Sequence, residues 1–405
     1  MSSVTEAPIE AAGPPARWAD PLGCLRGDAS GLFNVRLPGE DDPRRADVRA
    51  WIAENPQPTP KELYEAGYMV PHFPPPYGLG ASPTQVLIID EELRHAGIRR
   101  PPNWQLVRGY VGPLILQAGT PQQIDRHLRR MLMAEERWCQ LFSEPEAGSD
   151  LASLTTRAER DGDAFVINGV KTWSSGAERS DFGLLVARSK ASENKHRGIS
   201  LLIVPMDAPG ISMQPVYNTR GFAGWNMVYF DDVRIPDTNL LGVEDDGWAT
   251  TRTVLANERL SMSSNEGLVW GNGPSFEELL AHAQDLHSRR PLPRHVTSRI
   301  AAGYVQAVAL HVMRMQALGS VGQDKIADVV PEVRRTLIDD HGQQMIELWR
   351  DLSGPAGVWE TPVPDDPTSE AFSASYHLGR AVTIGGGTAQ IQRNILAERH
   401  LGMPR

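Results

Sequence analysis

The chain has 405 residues, of which 40% are hydrophobic and 22% charged, with a formal net charge of −10. This is the composition of a globular protein long enough for two or three domains, and its acidic balance argues against non-specific nucleic-acid binding, which needs a basic footprint. The two cysteines, Cys24 and Cys139, lie too far apart in sequence to suggest a disulfide framework or a cysteine-based metal site, and no apolar run approaches a membrane span.

Residues 1–44 are rich in Pro, Gly, Ala and acidic residues without periodicity and read as an irregular arm. The arm lacks a basic-then-apolar signal pattern, so a cytoplasmic location is expected. A helical domain is expected over 45–137. Val48, Trp51 and Ile52 recur at helix spacing, and further helices are expected from Pro60 behind Thr59 and over Gln85–His95, Asn103–Tyr110, Gly112–Ala118 and Pro121–Met133, the last begun by Thr120. Pro74-Pro75-Pro76-Tyr77-Gly78 breaks the pattern.

Residues 138–245 read as an antiparallel β domain. Strands are expected over Leu154–Ala158 and Ala164–Ile167 around Glu159-Arg160-Asp161-Gly162, with Asn168-Gly169 as another tight turn. Phe182–Ala187, Ile199–Pro205, Val228–Phe230 and Val233–Pro236 complete the set, and Lys195-His196-Arg197 reads as a solvated basic turn. From residue 246 to 405 the pattern returns to helix, over Trp248–Val269, Ser275–Ser288, Thr297–Gly319, Asp324–Leu352 and a last helix from near Thr388, with a loop at Pro362–Pro367. These make a four-helix-bundle-like domain. The fold class is α+β: helices, a β domain, then a helical bundle.

Ser143-Glu144-Pro145 followed by Ala147-Gly148-Ser149-Asp150 reads as an exposed loop of small residues, whose backbone N–H groups can approach a flat or anionic ligand. Lys171-Thr172-Trp173-Ser174-Ser175 sets an indole beside hydroxyls, able to cover an aromatic ring and bond its edge. Taken singly, such a Trp or Ser fits an ordinary hairpin as well. The ordered set of CQLFSEPEAGSDL from Cys139, INGVKTWSSGA from Ile167 and GGTAQIQRN from Gly386 resembles the acyl-CoA dehydrogenase family, over roughly residues 45 to 405.

That resemblance implies FAD between the β domain and the C-terminal bundle. It assigns Phe142 and Ser143 to the flavin edge, Gly148 and Ser149 to the pyrophosphate loop, and Trp173 and Ser175 to the ring. Thr388 and Gln390 go to the adenosine and pyrophosphate part, and Gly354 to a turn through which a neighbouring subunit reaches the cofactor. The implied reaction is α,β-desaturation of an acyl-CoA, with hydride passing to flavin N5. Electrons would leave through an electron-transferring flavoprotein, and the chain would assemble as a homo- or hetero-oligomer.

Such chemistry needs a base for the α-proton and a polarised carbonyl. Many family members carry the base as a glutamate directly before the Gly-Thr of the C-terminal motif, where this chain has Gly386. A backbone N–H can still polarise the thioester there. A second lineage carries its base in a Glu-Arg-Leu sequence on the first long helix of the C-terminal domain, and Asn257-Glu258-Arg259-Leu260 matches it. Helical spacing groups Glu258 with Val254, Leu255, Ser261 and Met262, a largely apolar face on which partial desolvation raises a carboxyl pKa. Two alternatives stay open: a catalytically silent subunit of a mixed oligomer, and a flavin monooxygenase of the same fold.

The family's Arg-x-x-Phe-Gly segment has no counterpart between Pro274 and Arg299, leaving Arg289, Arg290, Arg294 or none to reach FAD. The motifs look most like those of actinobacterial sterol- and branched-acyl-processing members. Three consecutive glycines, Gly385 to Gly387, leave room for a bulky acyl group.

Overall fold

The computed structural model describes residues 38–101, 106–219, 221–263, 276–319, 326–354, 375–377, 379–381 and 383–404. The arm over 1–37, the Pro362–Pro367 loop and the end of the helix expected to reach Val269 lie outside the described residues.

The N-terminal unit is helical: α1 (Arg44–Glu54), α2 (Pro60–Glu65), α3 (Pro83–His95), α4 (Gly112–Ala118), α5 (Pro121–Gln123) and α6 (Arg129–Leu132). Thr59, Ser82 and Thr120 start α2, α3 and α5 in the same way. Each is followed by proline, and each forms a reciprocal capping box with Glu62, Gln85 or Gln123, worth about 1 kcal/mol per cap. The helix expected from Pro121 to Met133 is interrupted by a π turn at Ile124–Leu128 and closes at Leu132, because Ala134 turns left-handed at φ 58°. Arg45 is buried and pins α1 to α3, donating to Glu91 and Glu92 at 2.6 Å each.

The sheet comprises β1 (Trp138–Leu141), β2 (Arg157–Asp161), β3 (Ala164–Ser175), β4 (Phe182–Arg188), β5 (Ile199–Pro205), β6 (Ile211–Tyr217), β7 (Ala223–Pro236) and β8 (Leu240–Leu241). The strand order is β6-β7-β3-β2-β4-β5-β8, with β1 beside β4. Pairing is mostly antiparallel, but β1 joins β4 in parallel and β2 touches β4 in parallel at Arg157 and Arg188. Edge strand β6 carries Pro215, and β8 at the other end has two residues.

Two local expectations are corrected. Leu154 to Thr156 do not start a strand, because the Glu144 carboxylate takes the N–H groups of Thr155 and Thr156. Asn168-Gly169 is no turn; it is a bulge inside the twelve-residue β3. Asn168 exchanges bonds of 3.0 Å with Asp232 across the sheet, and Gly169 has φ 146°, with Thr156 where a side chain would go. An added Cβ would lie 2.5–2.8 Å from Thr156, so Gly169→Ala is expected to destabilise the protein by about 2–4 kcal/mol in urea unfolding.

The last unit is built from α7 (Gly247–Ser263), α8 (Phe276–Arg289), α9 (Arg294–Gly319), α10 (Ile326–Ser353) and α11 (Ala389–Ile395). One core joins the first helices to a face of the sheet (Leu93, Leu114, Leu184, Val186, Ile203) and takes in Val254 of α7. A second fills the opposite face with Phe165, Leu185, Leu202 and Val228. Both faces of β4 are therefore covered, which explains its unbroken apolar run. Phe276, Leu279, Leu310, Met345 and Trp349 form a third core within the C-terminal helices. Among the described residues no helix is long and apolar enough to cross a membrane.

Candidate active site

The Phe142–Asp150 loop leaves the end of β1. Its first turn closes on itself, since Glu144 and Ala147 exchange backbone bonds of 3.0 and 3.1 Å, leaving Pro145 and Glu146 at the tip. Gly148 and Ser149 are exposed, and a Cβ added at Gly148 would meet nothing within 4 Å. Asp150 anchors the end of the loop, accepting from Ser153 at 2.6 Å and from Lys195 at 2.8 Å.

A buried ion pair fixes this loop against β3. Lys171, wholly buried, donates to Glu144 at 2.8 Å and to the Phe142 carbonyl at 2.9 Å. Glu144 also accepts from the N–H and hydroxyl of Thr155 and the N–H of Thr156. Burial alone would push the Glu144 carboxyl up, but the Lys171 charge and these bonds outweigh it and hold the group at about 2. Thr172 N–H donates to the Ser143 carbonyl at 2.8 Å. Phe142–Glu144 and Lys171–Thr172, the residues just before Trp173, are thus braced side by side.

The brace ends at an exposed indole. The register of β3 slips between Lys171 and Ser174, and Trp173 sits in the slip at φ 60° with 59% of its surface exposed. Left-handed backbone at a bulky residue costs about 1–3 kcal/mol and gathers at functional sites. The indole meets Trp225 edge-on at 6.1 Å, and Ser175, exposed, lies opposite Trp225 on β7.

The basic turn is exposed as expected, but it is anchored. Arg188 donates to the carbonyls of Lys195 and Arg197 and, with its other nitrogen, to that of Ala152. His196 lies over Trp248 at 5.0 Å.

Other predicted residues sit elsewhere. Thr388 caps α11 through the Ile391 N–H, Gln390 is exposed, and Gly354 has φ 56°, with nothing among the described residues within 4 Å of an added Cβ. Among the described residues no hydrogen bond or ion pair joins these three to the Phe142–Ser149 loop. Gly386 has φ 68° in the turn before Thr388. Position 258 lies within α7, but its side chain is outside the described residues, as is the rest of the Gly354 turn. Of the candidate arginines, Arg289 is held by Asp285 at 2.9 Å on the surface.

Comparison with known proteins decides the family. The acyl-CoA dehydrogenase N-terminal, middle and C-terminal domains match residues 40–135, 139–233 and 245–401. The acyl-CoA dehydrogenase IpdE1 of Mycobacterium tuberculosis is 34% identical over 94% of each chain. The chain belongs to the acyl-CoA dehydrogenase family. It is also 38% identical to acyl-CoA dehydrogenase FadE34 of the same organism, over 85% of this chain and 46% of that protein, so it spans under half the length of that relative. The solved Tcur3481-Tcur3483 steroid acyl-CoA dehydrogenase superposes with a TM-score of 0.73 at 26% identity, covering 97% of this chain and 99% of that one.

Acyl-CoA dehydrogenases are FAD-using oxidoreductases of the three-domain fold described here. A strained, exposed indole beside an exposed hydroxyl and an open glycine loop suits a flat ring carrying phosphates, so the residues present fit that cofactor. The Lys171–Glu144 pair is a positioning element that the sequence reading did not single out. Both residues lie inside the motifs quoted above, and the signal was a lysine on a buried strand, which requires a partner.

Proposed function

We propose that this chain is an FAD-dependent acyl-CoA dehydrogenase desaturating a bulky or branched acyl thioester, with Glu258 as the base. The observation that carries the reading is the brace between Phe142–Glu144 and Lys171–Thr172, which ties the Ser143 loop to the strand residue directly before the exposed Trp173. Phe142, Ser143, Gly148, Ser149, Trp173 and Ser175 would hold FAD, with Thr388 and Gln390 serving its adenosine and pyrophosphate part and the Gly354 turn reaching the cofactor of a neighbouring subunit. When bound, FAD supplies the hydride acceptor that no side chain can provide.

The chain's own residues supply the rest. Glu258 would take the α-proton, and the Gly386 N–H would donate to the thioester oxygen as negative charge builds there. Electrons would pass on to an electron-transferring flavoprotein.

The bulky substrate is supported by the glycine run and by the relatives. Among the described residues, a Cβ at Gly385 would meet only the Ala381 carbonyl, at 3.8 Å. The steroid relative, which pairs Tcur3481 with Tcur3483, also supports assembly with a second, different chain. Turnover of a steroid-side-chain CoA thioester is expected to exceed that of butyryl-CoA by at least about tenfold in kcat/KM, the scale of discrimination that pocket fit supplies. A preference for butyryl-CoA would end the bulky-substrate reading, and absence of flavin bleaching with every thioester would end the dehydrogenase reading.

A further inference from the structure

We infer that Gln392 is a positioning residue that clamps the Gly385–Gly387 turn so that its amides face the substrate carbonyl; the inference rests on the dehydrogenase reading above. Gln392 is fully buried on α11. Its Nε2 donates to the carbonyls of Gly386 and Gly387, at 3.4 Å each. Arg335 of α10, also buried, donates to the Gly385 carbonyl at 2.9 Å. Three successive carbonyls are therefore held by side chains from the protein interior.

The amides behave differently. The Gly385 N–H is used by the Ala381 carbonyl at 3.0 Å, whereas no acceptor meets the N–H of Gly386 or Gly387 among the described residues. Gly386 and Gly387 have φ of 68° and 92°, and consecutive turn residues with their carbonyls turned inward make a concave pair of donors suited to an oxyanion. The fit is close: a Cβ at Gly387 would come within 2.5 Å of Gln392 Nε2, so the clamp requires glycine there.

Packing alone does not account for the glutamine. Among the described residues its buried Oε1 has no partner, an unfavourable arrangement that a methionine of the same length would avoid. What methionine lacks is the donor to the two glycine carbonyls.

The test uses the FAD-loaded enzyme and 2-enoyl-CoA probes carrying a 13C carbonyl: crotonyl-CoA, tiglyl-CoA and a steroid-side-chain enoyl-CoA. Infrared difference spectra report how far binding lowers the carbonyl stretch. Gln392→Met is expected to retain flavin and melting temperature, to lose at least half of that downshift, and to lower kcat about 10²-fold with KM within threefold of wild type. Gly387→Ala, which pushes the Gln392 amide aside from the other direction, is expected to lose the downshift as well and keeps the test decisive should the first variant misfold. A wild-type downshift and kcat in both variants would overturn the inference alone. No downshift in wild type with any probe would overturn both it and the reading beneath it.

Discussion

Glu258→Gln is expected to slow anaerobic flavin bleaching by acyl-CoA about 10²–10⁴-fold while the purified protein stays yellow, the range a general base supplies. Gln keeps the size and helix preference of Glu, so the change removes proton-accepting power and little else. The reason to look at this position is the helix period of α7. Thr251 and Val254 are wholly buried and Leu255 packs on the core, and steps of seven, four and three residues from them all arrive at 258. A carboxylate on that stripe would be partly desolvated and more basic than one in water. The usual alternative position holds Gly386, which has no carboxylate. Stopped-flow absorbance at the flavin band measures the effect, and a loss smaller than about tenfold would remove Glu258 as the base.

Lys171→Met should cost about 3–5 kcal/mol in urea unfolding, because it strands the Glu144 carboxylate in a buried site. Replacing both residues, as Lys171→Met with Glu144→Gln, should recover much of that loss, since no buried charge is then left uncompensated. The pair also sets an acid limit. Glu144 ionises at about 2 in the fold against 4.5 in the unfolded chain. Its contribution is therefore fully present above about 4.5 and fades as pH falls toward 2. The wild type should lose stability across that window, and the double variant should lose less. Equal acid sensitivity of the two proteins would show that the pair does not set the limit.

Much of the fold could be read before the structure. Thr59-Pro60 and Thr120-Pro121 marked helix starts because capping acts within four residues, and the apolar runs of β4 and β5 marked strands, though not that both their faces are covered. What escaped depended on partners distant in sequence. Asn168-Gly169 has the local chemistry of a turn, and only Asp232 and Thr156 make it a bulge. Leu154 to Thr156 look like a strand until Glu144 claims the amides of Thr155 and Thr156. The site was legible in the same uneven way. Trp173 and Ser143 stood out as residue types, whereas the Lys171–Glu144 brace and the Gln392 clamp work through burial and reach, which no local pattern records.

The two ends of the sheet limit how another chain could join it. Proline has no N–H to offer a newcomer, and a two-residue strand presents almost no ladder to extend, so Pro215 on β6 and the brevity of β8 cap both borders against strand addition. A second chain meeting the β6 border would then have to use side chains such as the exposed Tyr217 and Phe222. Such contact could be tuned residue by residue, and the folded sheet offers little ladder for edge-to-edge aggregation.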